Sequence, residues 1–546
     1  MDFTMKVKSA VKLGTVATFA AVLLAACGSS SSSSSSAKDQ ELNWMENSSL
    51  PSMDFSKATD VVSGETMNNT GEGLLRAGKD NKVTPGVAKS YSKSKDGKTY
   101  TFNLRKSKWS NGDQVTAKDF VYSWQRTVNP KTASQYAYLL APVKNANAIM
   151  KGKEAVSNLG IKAEGNYKVV VTLTKATNYF PSLVASPTFF PQNKSVVNKY
   201  GSKYATTAQA NVYNGPFKLT YWTGTSDNWT MSKNASYWNA KNVKLKKINF
   251  KTMKDPQTAL SQYQSGKLDA TYLSGQQPKN YKNSKEYVER KSAGTFYLEI
   301  NQKKDSMLRN KKARQALSMA INRNQFINKV LEDGSTPAKG VVASGLASYK
   351  GKDFSDVANV KSASTQNLAQ AKKLWKEALK ETGRKSYSFT FMADDTPAGK
   401  SAAEFLQSQW SKLPNVKVTN QNLPFKTRLS RSQNGQFDIV ATAWGADFPD
   451  PISFLQLFTS DNSYNNGKWT SATYNRDIAN ANGKDANNEG ARWNDLVDAQ
   501  KTLLNDQGVI PFYQQGKAQL VKSNVKGLIY FPTGANWDFS KTYIAK

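Results

Sequence analysis

The sequence predicts an α/β fold of more than one domain, with a parallel or mixed sheet and helices packed against it. Three observations predict this. Residues Ser386 to Trp444 read β, α, β, α, β. At 546 residues the chain exceeds the size at which single cores stop growing. Its one cysteine, Cys27, allows no internal disulfide, so burial of the 38% apolar residues must hold the fold.

From the amino terminus, Lys6, Lys8 and Lys12 precede an apolar stretch, Leu13 to Ala26, that is too short to span a bilayer comfortably. This pattern predicts a signal peptide over residues 1–26. The junction Leu24-Ala25-Ala26-Cys27 resembles the bacterial lipobox, where cutting before Cys leaves a new amino-terminal Cys to carry lipid. That chemistry needs small residues before the cut and a thiol after it. Eight serines, Ser29 to Ser36, can bury nothing, so residues 27–37 are expected to be a lipidated Cys and a flexible tether.

Strand signals follow. KTYTFNLR alternates Tyr100, Phe102 and Leu104 with Thr101, Asn103 and Arg105, and YKVVVTLTK alternates Tyr167, Val169, Val171 and Leu173 with polar or small residues. Between them, TAKDFVYSWQRTVNP offers Thr116 as N-cap, Asp119 three residues on, and Pro130 past the end, which predicts a helix. Further on, KKARQALSMAIN, NLAQAKKLWKEALKETG (stopped by Gly383) and SAAEFLQSQWSKL carry apolar residues at helical spacing. SYSFTFMA, VKVTNQN and QFDIVATAW read as strands. Ligands of open α/β sheets bind beyond the carboxyl ends of strands, and Asp447 lies just past the end of QFDIVATAW.

The absence of histidine removes Ser-His-Asp and Cys-His catalysis and zinc sites of the HExxH type. No metal or cofactor is expected. The chain is basic, with 75 Lys+Arg against 41 Asp+Glu, and removing residues 1–26 still leaves a formal +32. The lysines are dispersed, as in SKSKDGK, and no nucleic-acid motif is present. They read as solvated surface facing anionic lipid and wall polymers.

Four collinear segments carry a resemblance. GLLRAGKDNKVTPGVAKSYSKSKDGKTYTFNLRKSKWSNGDQVTAKDFVYSWQRTVNP (Gly73 to Pro130), YNGPFKL…YWN (Tyr213 to Asn239), QYQSGKLDATY (Gln262 to Tyr272) and WGADFPDPISFL (Trp444 to Leu455) resemble the oligopeptide-binding proteins of bacterial ABC importers. The likeness spans nearly the whole chain after the tether. It implies a two-lobed, periplasmic-binding-protein-like (Venus-flytrap) α/β fold with mixed sheets. Lobe one would comprise residues 38–293 plus 516–546, with an extra subdomain at about 72–195, and lobe two residues 294–515, with crossings near Gly294 and Gln515.

The resemblance also implies a role for Asp447, the acid of the W-x-A-D-x-x-[DE]-P pattern: receiving the α-ammonium of a bound peptide. Every unblocked peptide carries that cation, so one carboxylate can register many cargoes. Main-chain bonds to the peptide would come from sheet edges at Ala443 to Gly445 and at Ala58, Thr59, Asp60 and Val61. Trp444, Tyr138 and Phe217 are candidates for side-chain pockets. Asp450, just before Pro451, suits a helix cap instead.

This chain departs from relatives that place an Arg before the Trp, having Ala441-Thr442-Ala443 there, and no His is available for a peptide carboxyl terminus. Arg428 or Arg431 could serve that end. The expected protein is a monomeric receptor, lipid-anchored through Cys27 on the outer face of a Gram-positive-type membrane. It would pass peptides to ABC permease and ATPase subunits, with no catalytic residue and no nucleic acid. The architecture does not settle the cargo. Alternatives are a metal-chelate or haem receptor, a hydrolase using Asp447 and Asp450, and an adhesin using the basic surface.

Overall fold

The computed structural model describes residues 40–78, 82–177 and 179–546. The signal peptide, Cys27 and the serine tether lie outside the described residues. Among those described, no helix is long and apolar enough to cross a membrane.

The two early strands form part of a four-stranded antiparallel sheet, in the order Ala88–Lys93, Thr99–Leu104, Lys168–Thr172, Ile161–Ala163. Tyr100, Phe102 and Leu104 are buried and the residues between them half-buried, the period of two that a one-sided strand requires. The helix between them runs Ala117–Val128. It starts where predicted because the Thr116 backbone N–H donates to Asp119 Oδ2 at 2.7 Å, satisfying a donor the helix cannot. Phe120, Trp124 and Val128, on one helical face, share a core with Phe102 and Val169 of the sheet.

A second sheet has the order Glu41–Glu46, Lys247–Thr252, Asn228–Lys233, Phe217–Tyr221, the first pair parallel and the rest antiparallel. Gly215 leads into it. A Cβ there would lie 2.6 Å from the Gly71 nitrogen and oxygen, so YNGPF requires glycine for this close backbone crossing.

The third sheet is mixed, in the order Ala270–Leu273, Val509–Val521, Tyr287–Ile300, Ile439–Gly445, Tyr387–Asp394, Val416–Leu423, with Thr336–Pro337 paired to Val509–Val521. Tyr387–Asp394 pairs in parallel with both Val416–Leu423 and Ile439–Gly445. Helices Lys311–Met319, Leu368–Glu381 and Pro397–Trp410 pack on this sheet, burying Leu317, Trp375, Leu406 and Trp410 against Phe389 and Phe391. The strand expected from Gln436 begins at Ile439, because the Asp438 carboxylate takes the Thr390 N–H at 2.9 Å in place of a ladder bond.

The two longest strands, Tyr287–Ile300 and Val509–Val521, pair antiparallel from Tyr287↔Leu520 to Glu299↔Val509, with breaks in register between Lys291 and Thr295 and between Phe296 and Tyr297. On one side of the breaks Ala518 and Leu520 join a core with Met45, Leu260 and Tyr263. On the other, Leu298, Ile300, Ile510 and Phe512 enter the core of Trp375 and Trp410.

Candidate functional site

Ile439–Gly445 is the strand on which the site is built. On one edge it pairs with Tyr287–Ile300 throughout, from Ile300↔Ile439 to Gly294↔Gly445. On the other it pairs with Tyr387–Asp394 only at Ile439 and Val440. The two parallel strands then diverge, leaving the edge from Ala441 to Gly445 without a strand partner and bordering a cavity of about 510 Å³. Ala443 and Gly445 are exposed along this edge, while Trp444 is only 6% exposed.

Asp447 follows at the strand's carboxyl end and lines the cavity. Ser453 Oγ accepts the Asp447 backbone N–H at 2.7 Å and donates to Oδ2 at 3.3 Å, and Tyr136 Oη donates to Oδ1 at 3.2 Å. Burial pushes the carboxyl up to about 7, and the bonds from Tyr136 and Ser453 only partly counter this. Aromatic rings stand around it. Trp444 meets Tyr464 edge to face at 4.6 Å and Tyr136 at 5.9 Å, and the Trp444 Nε1 has no hydrogen-bond partner. Ring faces carry negative charge and favour a cation beside them.

The site is assembled from distant segments. Gln433 Nε2 donates to Gln135 Oε1 at 2.7 Å, Ser463 Oγ donates to the Gln135 carbonyl at 2.7 Å, and Tyr179 stacks on Phe448 with centroids 4.9 Å apart. Tyr179 is thereby tied to the loop that carries Asp447, and Gln135 to Gln433 and Ser463 on either side of it in sequence.

Asp450 is held by other partners. Its Oδ1 accepts the Ile452 N–H at 2.9 Å at the start of the short helix Ile452–Leu455, and Arg492 binds both oxygens, at 2.8 and 2.9 Å. Asp450 is thereby engaged by a backbone N–H and a guanidinium, unlike Asp447, which no cation meets among its hydrogen-bond partners.

Ala58, Thr59, Asp60 and Val61 also line the cavity, but not as a sheet edge. They form a loop running into the helix Val61–Thr70, because the Asp60 side chain accepts the Ser63 N–H at 2.8 Å and caps it. Val61 is 45% exposed, and burial raises the Asp60 carboxyl to about 6. Tyr138 stands behind the lining, its ring 6.2 Å from Tyr136 and 6.1 Å from Tyr464; Tyr136 takes the cavity position. Phe217 is fully buried in the core with Trp229 and Phe250, since it faces inward on its strand. Arg428 lines the cavity with its Nε bonded to Asp394 Oδ1 at 2.8 Å; Arg431 is not among the lining residues.

Sequence reasoning missed Tyr136, Tyr464, Ser453 and Glu299. Only Ser453 lies within a quoted motif, and nothing in spacing marks the others. Glu299 lines the cavity, accepts the Gly467 N–H at 2.9 Å, and is raised by burial to about 7. The lining inverts the charge of the chain: seven acids (Glu46, Asp60, Glu65, Glu299, Asp333, Asp394, Asp447) meet three bases (Lys254, Arg428, Lys517). Among the described residues no cluster of three or more Asp, Glu, His or Cys could hold a metal ion.

Comparison with known proteins gives the family and the fold. Residues 82–466 match the family described as bacterial extracellular solute-binding proteins, family 5 Middle. The dipeptide-binding protein of Lactococcus lactis subsp. cremoris is 37% identical, covering 99% of this chain and 100% of its own. Listeria monocytogenes OppA bound to peptide superposes with a TM-score of 0.90 at 38% identity, covering 93% of this chain and 100% of that one. The murein tripeptide-binding protein MppA of Escherichia coli scores 0.84 at 29% identity, covering 93% and 99%, whereas MppA in its unliganded open form scores 0.60 at 28%, covering 93% and 98%.

Proposed function

The chain belongs to the bacterial extracellular solute-binding proteins of family 5, and on that footing we propose how it captures extracellular peptides for delivery to an ABC permease. The peptide lies extended in the cleft with its α-ammonium on Asp447. Its backbone adds to the open edge at Ala441 to Gly445, and Trp444 lies against its first residues. Because that edge uses main-chain groups, side chains along the peptide are not selected there, and broad cargo use follows.

One observation carries the reading. A half-buried carboxylate lies at the end of an unpaired strand edge, lining a cavity, with Tyr136 and Trp444 near it and no cation among its hydrogen-bond partners. Burial makes the ionised acid costly until a cation arrives. An ammonium held there forms a charge-assisted hydrogen bond sheltered from water.

Residues 38–293 with 516–546 form one lobe and 294–515 the other, crossing at Gly294 and Gln515. The breaks in the ladder of the two long strands support this, since they separate two cores at that place. The lower score against an unliganded open form supports reading the present arrangement as closed. Contacts such as Tyr136 to Asp447 join the halves, so a peptide that completes them shifts the equilibrium toward closure. The receptor is a monomer, held to the outer membrane face by lipid on Cys27, and performs no catalysis.

The test is Asp447→Ala with paired peptides. Losing one sheltered charge-assisted bond, about 1.5–3 kcal/mol, lowers affinity for free-amino peptides by about ten- to 150-fold. Amino-acetylated peptides should change little. Equal loss for both would refute the assignment.

A further inference from the structure

Two cavity acids are left unexplained by this site. Glu46 ends the strand Glu41–Glu46, and Glu65 lies on the helix Val61–Thr70. Both line the cavity and are 6% and 4% exposed; the two carboxyls hydrogen-bond each other, and Glu46 Oε1 and Glu65 Oε2 accept from no N–H or hydroxyl donor. Burying two acids side by side in a cavity wall costs stability even when they share a proton, so packing alone does not account for them.

The charged neighbours come from every side. Lys517, on Val509–Val521, attracts both acids, but its Nζ is held by Asn536 Oδ1 at 2.5 Å. Arg290, on Tyr287–Ile300, repels Lys517 and lies over the ring of Trp537 at 4.7 Å. Asp60 acts on Glu65 from the helix start, and the Tyr272 hydroxyl feels both carboxyls. Burial, and after it the charge of Glu65, raises the Glu46 carboxyl well above its ordinary value, so the two acids favour sharing a proton.

We infer that Glu46 and Glu65 form a second cation subsite of the cleft, which takes the lysine ammonium or arginine guanidinium of a bound peptide's side chain. The inference rests on the peptide reading above. As the cation enters, the Glu46 carboxyl releases its proton to solvent and becomes the carboxylate that pairs with it. Nothing else is transferred at this subsite, so a lysine peptide releases up to one proton more than its acetyl-lysine match. Affinity for basic peptides therefore rises with pH through the range in which Glu46 titrates.

Calorimetry on the mature protein tests this. The probes are alanine-based pentapeptides with a single lysine moved along the chain, each matched by the peptide with acetyl-lysine at that position, measured in two buffers of different ionisation enthalpy. At one position lysine should bind about ten-fold or more tightly than acetyl-lysine. At that position it should release more protons than its match, which separates this pair from Asp447, common to both peptides. The preference should fall away in Glu65→Gln and in Glu46→Gln. If a variant does not fold, the wild-type proton count still decides.

If alanine peptides bind but no position prefers lysine, or if the preference survives both variants, the subsite is refuted and the peptide reading stands. If no peptide binds at all, both readings fall.

Discussion

Lowering the pH should weaken peptide binding far above the ordinary range of an aspartate. Asp447 must be ionised to receive an ammonium, and burial has raised it to about 7 in the ligand-free protein. With that value the ionised fraction falls from about one half at pH 7 to about one hundredth at pH 5, an affinity loss of about fifty-fold or ~2.3 kcal/mol. An aspartate at its usual ~3.9 would lose less than ~10% over the same interval. The peptide amine, with a pKa of about 7.7–8.0, only becomes more fully protonated and so cannot cause the loss. Asp60 and Glu299 line the same cavity and are raised to about 6 and about 7, so a single curve would mix their titrations with that of Asp447. The assay is therefore titration calorimetry of one peptide with a free amine and the same peptide acetylated, at half-unit steps from pH 7.5 to 5. The ratio of their affinities should collapse across this interval, and Asp447→Asn should flatten it. A ratio constant down to pH 5 in the wild type would show that Asp447 titrates normally or does not hold the amine.

Two further outcomes follow from contacts around the site. Tyr179→Leu removes the stack on Phe448. An aromatic pair contributes about 0.5–1.5 kcal/mol, so peptide affinity should fall about two- to twelve-fold, and solution scattering should show a larger radius for the protein at subsaturating peptide. An unchanged radius and affinity would mean the stack does not help closure. Arg428 is already paired with Asp394 at 2.8 Å, so amidating a peptide's carboxyl terminus should change affinity by less than about three-fold. A ten-fold preference for the free acid would show that a cation does read that end.

The local elements were legible because each depends on neighbours in sequence. The capping box at Thr116 and Asp119, the alternation through Phe102, and the β, α, β, α, β run to Trp444 all place donors and apolar faces by short-range rules. Phe217 was misjudged because an aromatic on a strand looks the same whether it faces a core or a ligand. Ala58 to Val61 was misjudged because the Asp60 cap competes successfully with any strand.

By itself the sequence determined that an acid, Asp447, stands just past a strand end and that no histidine chemistry exists. Only the tertiary structure decided that Tyr136, 311 residues away, reaches that acid, and that seven acids gather in the cleft of a basic chain. The physical reason is that desolvation and long-range pairing depend on which surfaces are brought together. Residue spacing along one chain carries no record of that.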